Sequence, residues 1–222
     1  MDLGISEKKG IVGGASAGLG RACALALARE GVDLTIVART AANIEAAAEE
    51  ISSTTGVRVI PVAADYNSDE GRAAVLKTCP EPDIIVNNSG GPPTGNFRDW
   101  DRAAWMAALN NNMLGAVFMI KETVDGMIAR KFGRIVNITS SAVKAPISIL
   151  GLSNSARAGL TGFVAGTSRE VAKHNVTINN VLPGDFDTGR HQANTRDLAK
   201  VQNRTYEEMR EIRTAAVAAG RF

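Results

Sequence analysis

The sequence predicts an α/β fold: a doubly wound parallel sheet with helices on both faces. Three observations lead there. Short runs rich in Val and Ile alternate with longer runs whose apolar residues recur every three to four positions, the order expected of strand–crossover–strand units. The short runs are apolar almost throughout, as strands covered on both faces are. No internal repeat or low-complexity linker interrupts the order, so residues 1–222 read as a single domain.

Each element can be justified in turn. Residues 10–13 (GIVG) end a first buried strand. A helix follows over 19–29, with Leu19, Ala22, Cys23, Ala26 and Leu27 on one face. Residues 32–38 form a second strand, and Thr40 can cap a helix running through Ile44 to Ile51. Residues 57–64 form a third strand, and Ser68 opens a helix through Ala74 and Leu76. Residues 83–87 form a fourth strand. Residues 133–138 form a fifth, flanked by two long helices over about 100–130 and 153–173. Residues 176–182 form a sixth. Right-handed crossovers between such strands give the doubly wound arrangement. The polar stretch 187–204 reads as a mobile connection or lid. Thr205-Tyr-Glu-Glu208 then reads as a capping box opening a last helix.

Composition excludes several classes. With 222 residues, 45% of them hydrophobic, the chain can bury a sizeable core. Its formal net charge is +2, and its Lys and Arg residues are scattered. Neither a nucleic-acid nor an acidic-membrane partner is indicated. The two cysteines, Cys23 and Cys79, form no CxxC or Cys/His cluster, so no metal site is expected. Reduced thiols suit a cytoplasmic protein. The first residues lack a signal-peptide pattern. No stretch reads as apolar over about 18 residues, so no membrane span is expected.

The first strand runs into Gly14-Ala-Ser16-Ala17-Gly18-Leu19-Gly20 and then a helix. Glycines at such a strand-to-helix turn let the backbone approach a pyrophosphate, and the helix N-terminus supplies N–H donors and a positive dipole. This is the signature of a Rossmann-type nucleotide site.

The spacing Gly-x-x-x-Gly-x-Gly resembles that of the short-chain dehydrogenase/reductases, with Gly13 where Thr is usual. Further landmarks follow in order over about residues 5–190. Asp65, followed by Tyr66, matches the acidic residue on the adenine side of the cofactor. Asn87-Asn88-Ser89-Gly90 resembles the N-N-A-G motif. Asn112 and Ser140 match the active-site Asn and Ser, and Pro183-Gly184 to Thr188 resembles the segment that wraps the nicotinamide. NAD-binding members carry an acid at the end of the second strand. Arg39 stands there instead and can pair with a 2′-phosphate, so the resemblance implies NADP(H) in preference to NAD(H).

The chemistry departs from the family at two positions. The family's Tyr lies thirteen residues after the Ser, and its Lys four residues further on. Here those positions are Ser153 and Arg157. A phenol paired with a lysine can exchange a proton with the reacting oxygen. A serine is a weaker acid, and an arginine keeps its proton. Ser140 and Ser153 are candidates to hold a developing oxyanion, Asn112 to anchor a relay water, Arg157 to orient the cofactor, and Lys144 to serve as proton source. The plainer roles are a surface lysine for Lys144, a helix N-cap for Ser153 and a salt-bridging helix residue for Arg157.

The pattern Ser140-Ser-Ala-Val-Lys144-Ala-Pro146, with the later Ser153-Asn-Ser-Ala-Arg157-Ala, resembles a divergent branch related to 3-oxoacyl-acyl-carrier-protein reductases. The resemblance implies an oxidoreductase acting between NADP(H) and a small-molecule carbonyl or alcohol, including a 3-oxoacyl thioester. The alternative is a non-catalytic NADP(H)-binding sensor or scaffold. A methyltransferase on a similar fold would leave Asn87 to Gly90 and Pro183-Gly184 without a role. The resemblance also implies a homodimer or homotetramer. Relatives continue past the position of Phe222 with a helix and a further strand, so a C-terminal strand is expected to be missing here.

Overall fold

The computed structural model describes residues 2–222, which fall into two compact units, one ending at Leu182 and one beginning at Pro183. The first unit is built on six parallel strands: β1 (Lys9–Gly13), β2 (Asp33–Ala38), β3 (Val59–Ala63), β4 (Ile84–Asn87), β5 (Gly133–Ile138) and β6 (Val176–Val181). Their order is β3-β2-β1-β4-β5-β6. The chain therefore winds one way from β1 and the other way from β4. The crevice outside the carboxyl ends of β1 and β4 is the switch point where such sheets bind ligands.

Alternation along the strands feeds two cores. Ile11, Val37, Ile85, Ile135 and Ile178 point to one face, where Met119, Ile120, Met127, Leu160 and Val164 cover them. Val12, Leu34, Ile36, Ile84 and Val86 point to the other, beneath Ala24, Ala28, Ile44 and Ile51. Burial of each such large side chain is worth about 1.5–3 kcal/mol.

The second face is covered by α1 (Gly18–Arg29) and α2 (Ala41–Thr55), the latter ended by Gly56 at φ 78°, the left-handed stop that glycine supplies. Thr40 occupies the N-cap of α2 as expected, but its side chain makes no capping bond. In α3 (Asp69–Thr78) the expected cap is present, with Gly71 N donating to Ser68 Oγ at 3.0 Å.

The two long helices are more structured than periodicity suggested. The run expected over 100–130 consists of α4 (Arg102–Leu109), a π-helical turn (Asn110–Leu114) and α5 (Gly115–Arg130). Contrary to the sequence expectation, this run is apolar enough to cross a membrane by length and composition, with a mean hydropathy of 1.2. In the fold, Met119, Ile120 and Met127 from it are spent on the sheet core. The other helix, α6, spans Gly151–Val171 and starts two residues before Ser153.

In the second unit, the stretch expected to be a connection or lid contains α7 (Gly189–Val201), whose N-cap Thr188 accepts from His191 N. The helix α8 (Tyr206–Ala216) carries the anticipated capping box between Thr205 and Glu208.

Candidate active site

The glycine turn is shaped by what stands against it. Gly14 and Gly18 have φ of 58° and 56°, which L side chains rarely adopt. A Cβ on Gly20 would collide with the Gly14 carbonyl oxygen. Asn88 Nδ2 donates across the switch point to the carbonyls of Gly13 (3.1 Å) and Gly14 (3.4 Å). The close fit also accounts for Gly13 where the family has Thr. A Cβ there would lie 2.8 Å from the Asn88 carbonyl oxygen. Beyond the turn, Ala17 is the N-cap of α1 and makes no side-chain cap. Ser16 and Leu19 are half-buried, while Ala17 and Gly18 are exposed. The first N–H groups of α1 thus lack a side-chain cap, which is the donor set a phosphate takes up.

Arg39 and Asp65 stand at the carboxyl ends of β2 and β3. Both are exposed. The Asp65 carboxylate accepts from Asn67 N at 3.0 Å and from Asn67 Nδ2 at 3.3 Å. Tyr66, expected beside it on the cofactor side, has its side chain in the core, and its hydroxyl donates to Asn87 Oδ1 at 2.6 Å. Burial pushes the Tyr66 phenol well above its ordinary value, so it is a neutral donor. Asn87 in turn donates to Asn137 Oδ1 at 2.7 Å, and Asn137 to Asn180 Oδ1 at 3.0 Å. The three asparagines are register partners on β4, β5 and β6. They form an amide ladder across the carboxyl end of the sheet that sequence reasoning did not foresee.

Beside this ladder lies a small cleft, open to solvent. Its walls include Asn88, Ser89, Asn111, Asn112 and Arg157. Asn112 sits in the π turn, a device frequent at functional sites, and is buried with neither amide atom hydrogen-bonded. The turn is fixed from outside, since Ser89 Oγ donates to the Asn111 carbonyl at 2.5 Å. Ser89, which replaces the Ala of the family motif, therefore tethers the loop after β4 to the turn carrying Asn112.

The two departing positions form one unit. Arg157 Nε donates to Ser153 Oγ at 3.1 Å, and Nη1 donates to the carbonyls of Ile138 (2.7 Å) and Thr139 (3.0 Å) at the end of β5. Both side chains are buried. Ser153 is inside α6 and is not its N-cap, and Arg157 is bonded to main chain, a role distinct from that of a surface salt bridge. Ser140 follows Thr139 directly, and its Oγ accepts from Ala142 N at 3.1 Å. Lys144 ends the same short turn and is exposed. Gly90 is exposed in the loop after β4. In the second unit, Pro183 and Gly184 precede Thr188, the N-cap of α7. Among the described residues no group of three His, Cys, Asp or Glu could hold a metal ion.

A parallel sheet whose strand order reverses beside a glycine turn, with Ser, Asn and a buried cation at its carboxyl end, is the architecture of a nucleotide-binding α/β class. The model of the short chain dehydrogenases matches residues 8–199, and the chain belongs to that family. It is 33% identical to a 3-oxoacyl-[acyl-carrier-protein] reductase of Pseudomonas aeruginosa over 206 residues, covering 90% of this chain and 81% of the relative. L-sorbose reductase from Gluconobacter frateurii, solved with NADPH and L-sorbose, superposes with a TM-score of 0.94 at 29% identity, covering 100% of this chain and 86% of that one. An NAD+-bound xylitol dehydrogenase shares the fold with a TM-score of 0.87 at 22% identity, covering 98% and 87%.

Proposed function

We propose that the protein is an NADP(H)-dependent oxidoreductase interconverting a carbonyl and an alcohol on a small molecule, with the Ser153–Arg157 pair standing in for the family's Tyr and Lys. The observation that carries the reading is the α1 N-terminus without a side-chain cap, held behind glycines with no room for a Cβ. Those residues fit a dinucleotide pyrophosphate. Arg39 and the N-terminus of α2, where the Thr40 hydroxyl makes no capping bond, suit a 2′-phosphate. NADPH in the sorbose reductase supports the same choice. Asp65 would face the adenine, and Pro183, Gly184 and Thr188 take the nicotinamide side by family resemblance.

When bound, the nicotinamide supplies or accepts the hydride equivalent. Ser153 and Arg157 act on the oxygen. Because Arg157 Nε already donates to Ser153 Oγ, the serine's own proton is directed elsewhere and can be given to a substrate oxygen. The guanidinium's fixed charge stabilises the negative charge developing on that oxygen. Ser140 supplies a second hydroxyl. The unpaired Asn112 amide offers a donor and an acceptor to a water that returns the proton to Ser153. Pairing of subunits through α4 and α5 is supported by the exposed Met106 and Phe118, in keeping with the expected homodimer or homotetramer.

The absence of the Tyr/Lys pair favours a second reading, a nucleotide-binding sensor without turnover. Calorimetric titration with NADPH and NADH, followed by NADPH oxidation against a carbonyl panel, separates the two. Tight NADPH binding with carbonyl-dependent oxidation supports the enzyme, and binding without oxidation supports the sensor. Loss of NADPH preference in Arg39→Ala would support the 2′-phosphate assignment. No binding of either nucleotide would refute both readings.

A further inference from the structure

We propose that the site selects carbonyl compounds with an apolar flank, and that Phe97, Ile147 and Ile149 recognise that flank. The inference deepens the oxidoreductase reading and rests on it. In a chain that packs its large apolar residues on both faces of the sheet, these three stay exposed, at 61%, 48% and 45%. They occupy two loops that leave the carboxyl ends of β4 and β5. The loops are tied to each other, since Gly95 N donates to the Ile149 carbonyl at 3.0 Å. They are also tied to the catalytic helix. Asn154, next to Ser153, donates through Nδ2 to the Ile147 carbonyl at 2.8 Å.

Trp100 braces both loops from behind. A Cβ on Gly95 would stand 3.3 Å from its indole nitrogen, and one on Gly151 would stand 2.7 Å from its ring. The exposure therefore belongs to a braced frame. An apolar rim fixed beside a reacting centre removes from water whatever enters between the walls. The charged groups on the two loops are Arg98, Asp99, Asp101, which caps α4 by accepting from Ala104 N, and Lys144. Arg98 is stacked over the Phe97 ring at 4.3 Å, and Asp99 lies in the short helical turn Phe97–Asp99. Within the segments that hold the three apolar side chains, residues 94–97 and 147–150, the side-chain donors and acceptors for a polyol are Thr94, Asn96 and Ser148. The rim thus fits an alkyl or aryl ketone better than a ketose.

The test is a homologous series. Trp100 and Trp105 are the chain's two tryptophans, with ring centroids 6.1 Å apart, so intrinsic fluorescence reports events at these loops. Methyl ketones from 2-pentanone to 2-undecanone, and L-sorbose, would be titrated with and without NADPH. A fully buried methylene strengthens binding about fourfold. For half-exposed walls the expected gain is about twofold per methylene. Phe97→Ser and Ile149→Ser should flatten that slope while leaving NADPH affinity unchanged. A flat series in the parent protein, L-sorbose binding as tightly as the longer ketones, or a slope untouched by both substitutions would overturn the proposal. So would a variant that altered only sedimentation behaviour, because the rim would then be a subunit contact. NADPH affinity is read separately. Its absence alongside a persisting ketone slope would count against the oxidoreductase reading while supporting the apolar rim.

Discussion

Replacing Arg157 with lysine restores the family's residue and should nevertheless weaken this protein. The guanidinium donates at once to Ser153 Oγ and to the carbonyls of Ile138 and Thr139, at 3.1, 2.7 and 3.0 Å. A single ammonium on a flexible stem cannot reproduce that fork. If lysine keeps one of the bonds, two charge-assisted bonds are lost, each worth about 1.5 kcal/mol or more at a buried site. The expected loss is about 3 kcal/mol. For a chain of this length, 1 kcal/mol corresponds to about 2–4 °C, so Arg157→Lys should melt roughly 6–12 °C lower. Thermal unfolding followed by circular dichroism, with urea titration to confirm the free energy, measures it. A surface ion pair would contribute less than about 1 kcal/mol. A drop of under about 2 °C would therefore place Arg157 in that ordinary category and refute its role as the brace of the β5 end.

Two further outcomes follow from other groups. Asn88→Ala removes the donor to the Gly13 and Gly14 carbonyls. At about 1–2 kcal/mol, nucleotide affinity measured by calorimetry should fall on the order of tenfold, and an unchanged affinity would show that the loop holds its shape alone. In the second unit, burial and then the Arg213 charge hold the His191 imidazole below its ordinary value of 6.5, against the opposing pull of Asp185 and Asp187, with Arg210 adding to the lowering. The folded state thus binds the proton less readily than the unfolded chain. The stability from this group is present above about 6.5 and is lost as pH falls from there through the folded-state value. His191→Gln should flatten that part of the pH–stability curve, and an identical curve for variant and parent would rule His191 out.

What the sequence disclosed depended on whether the signal was local. The strand 133–138 was readable to the residue because Ile135, Val136 and Ile138 form a short β-branched run after Gly133, with alternate positions buried. The glycine turn was readable because a pyrophosphate site needs those residues at that spacing. The polar helix α7 was not, because its buried stripe is His191, Thr195 and Ala199. Thr195 is satisfied by Arg213 Nη1 at 2.7 Å, a partner in α8 that no hydrophobic pattern reveals. The π turn also escaped, since a one-residue insertion confined to a single turn is a small departure from the helical pattern over 100–130. Ser153 was taken for a possible cap because the start of α6 two residues earlier follows a short helical turn at 148–150 and the close approach of Trp100 to Gly151.

The amide ladder shows the same division and bears on function. Asn87, Asn137 and Asn180 lie 50 and 43 residues apart in sequence, and only the register of β4, β5 and β6 aligns them. A one-residue slip of either outer strand would turn its asparagine to the opposite face, and a slip that set no asparagine opposite Asn137 would leave buried amides unpaired. The ladder therefore disfavours every slip except those that would bring the neighbouring Asn88 or Asn179 opposite Asn137. The strand ends it fixes lead to Asn88 after β4 and to Thr139 and Ser140 after β5. At β5 the Ile138 and Thr139 carbonyls also receive Arg157. Two polar devices thus converge on the end of β5, one from the neighbouring strands and one from α6. Ser140, the candidate active-site serine, directly follows this doubly held strand end, which would keep it in place in a site that has Ser153 and Arg157 at the family's Tyr and Lys positions.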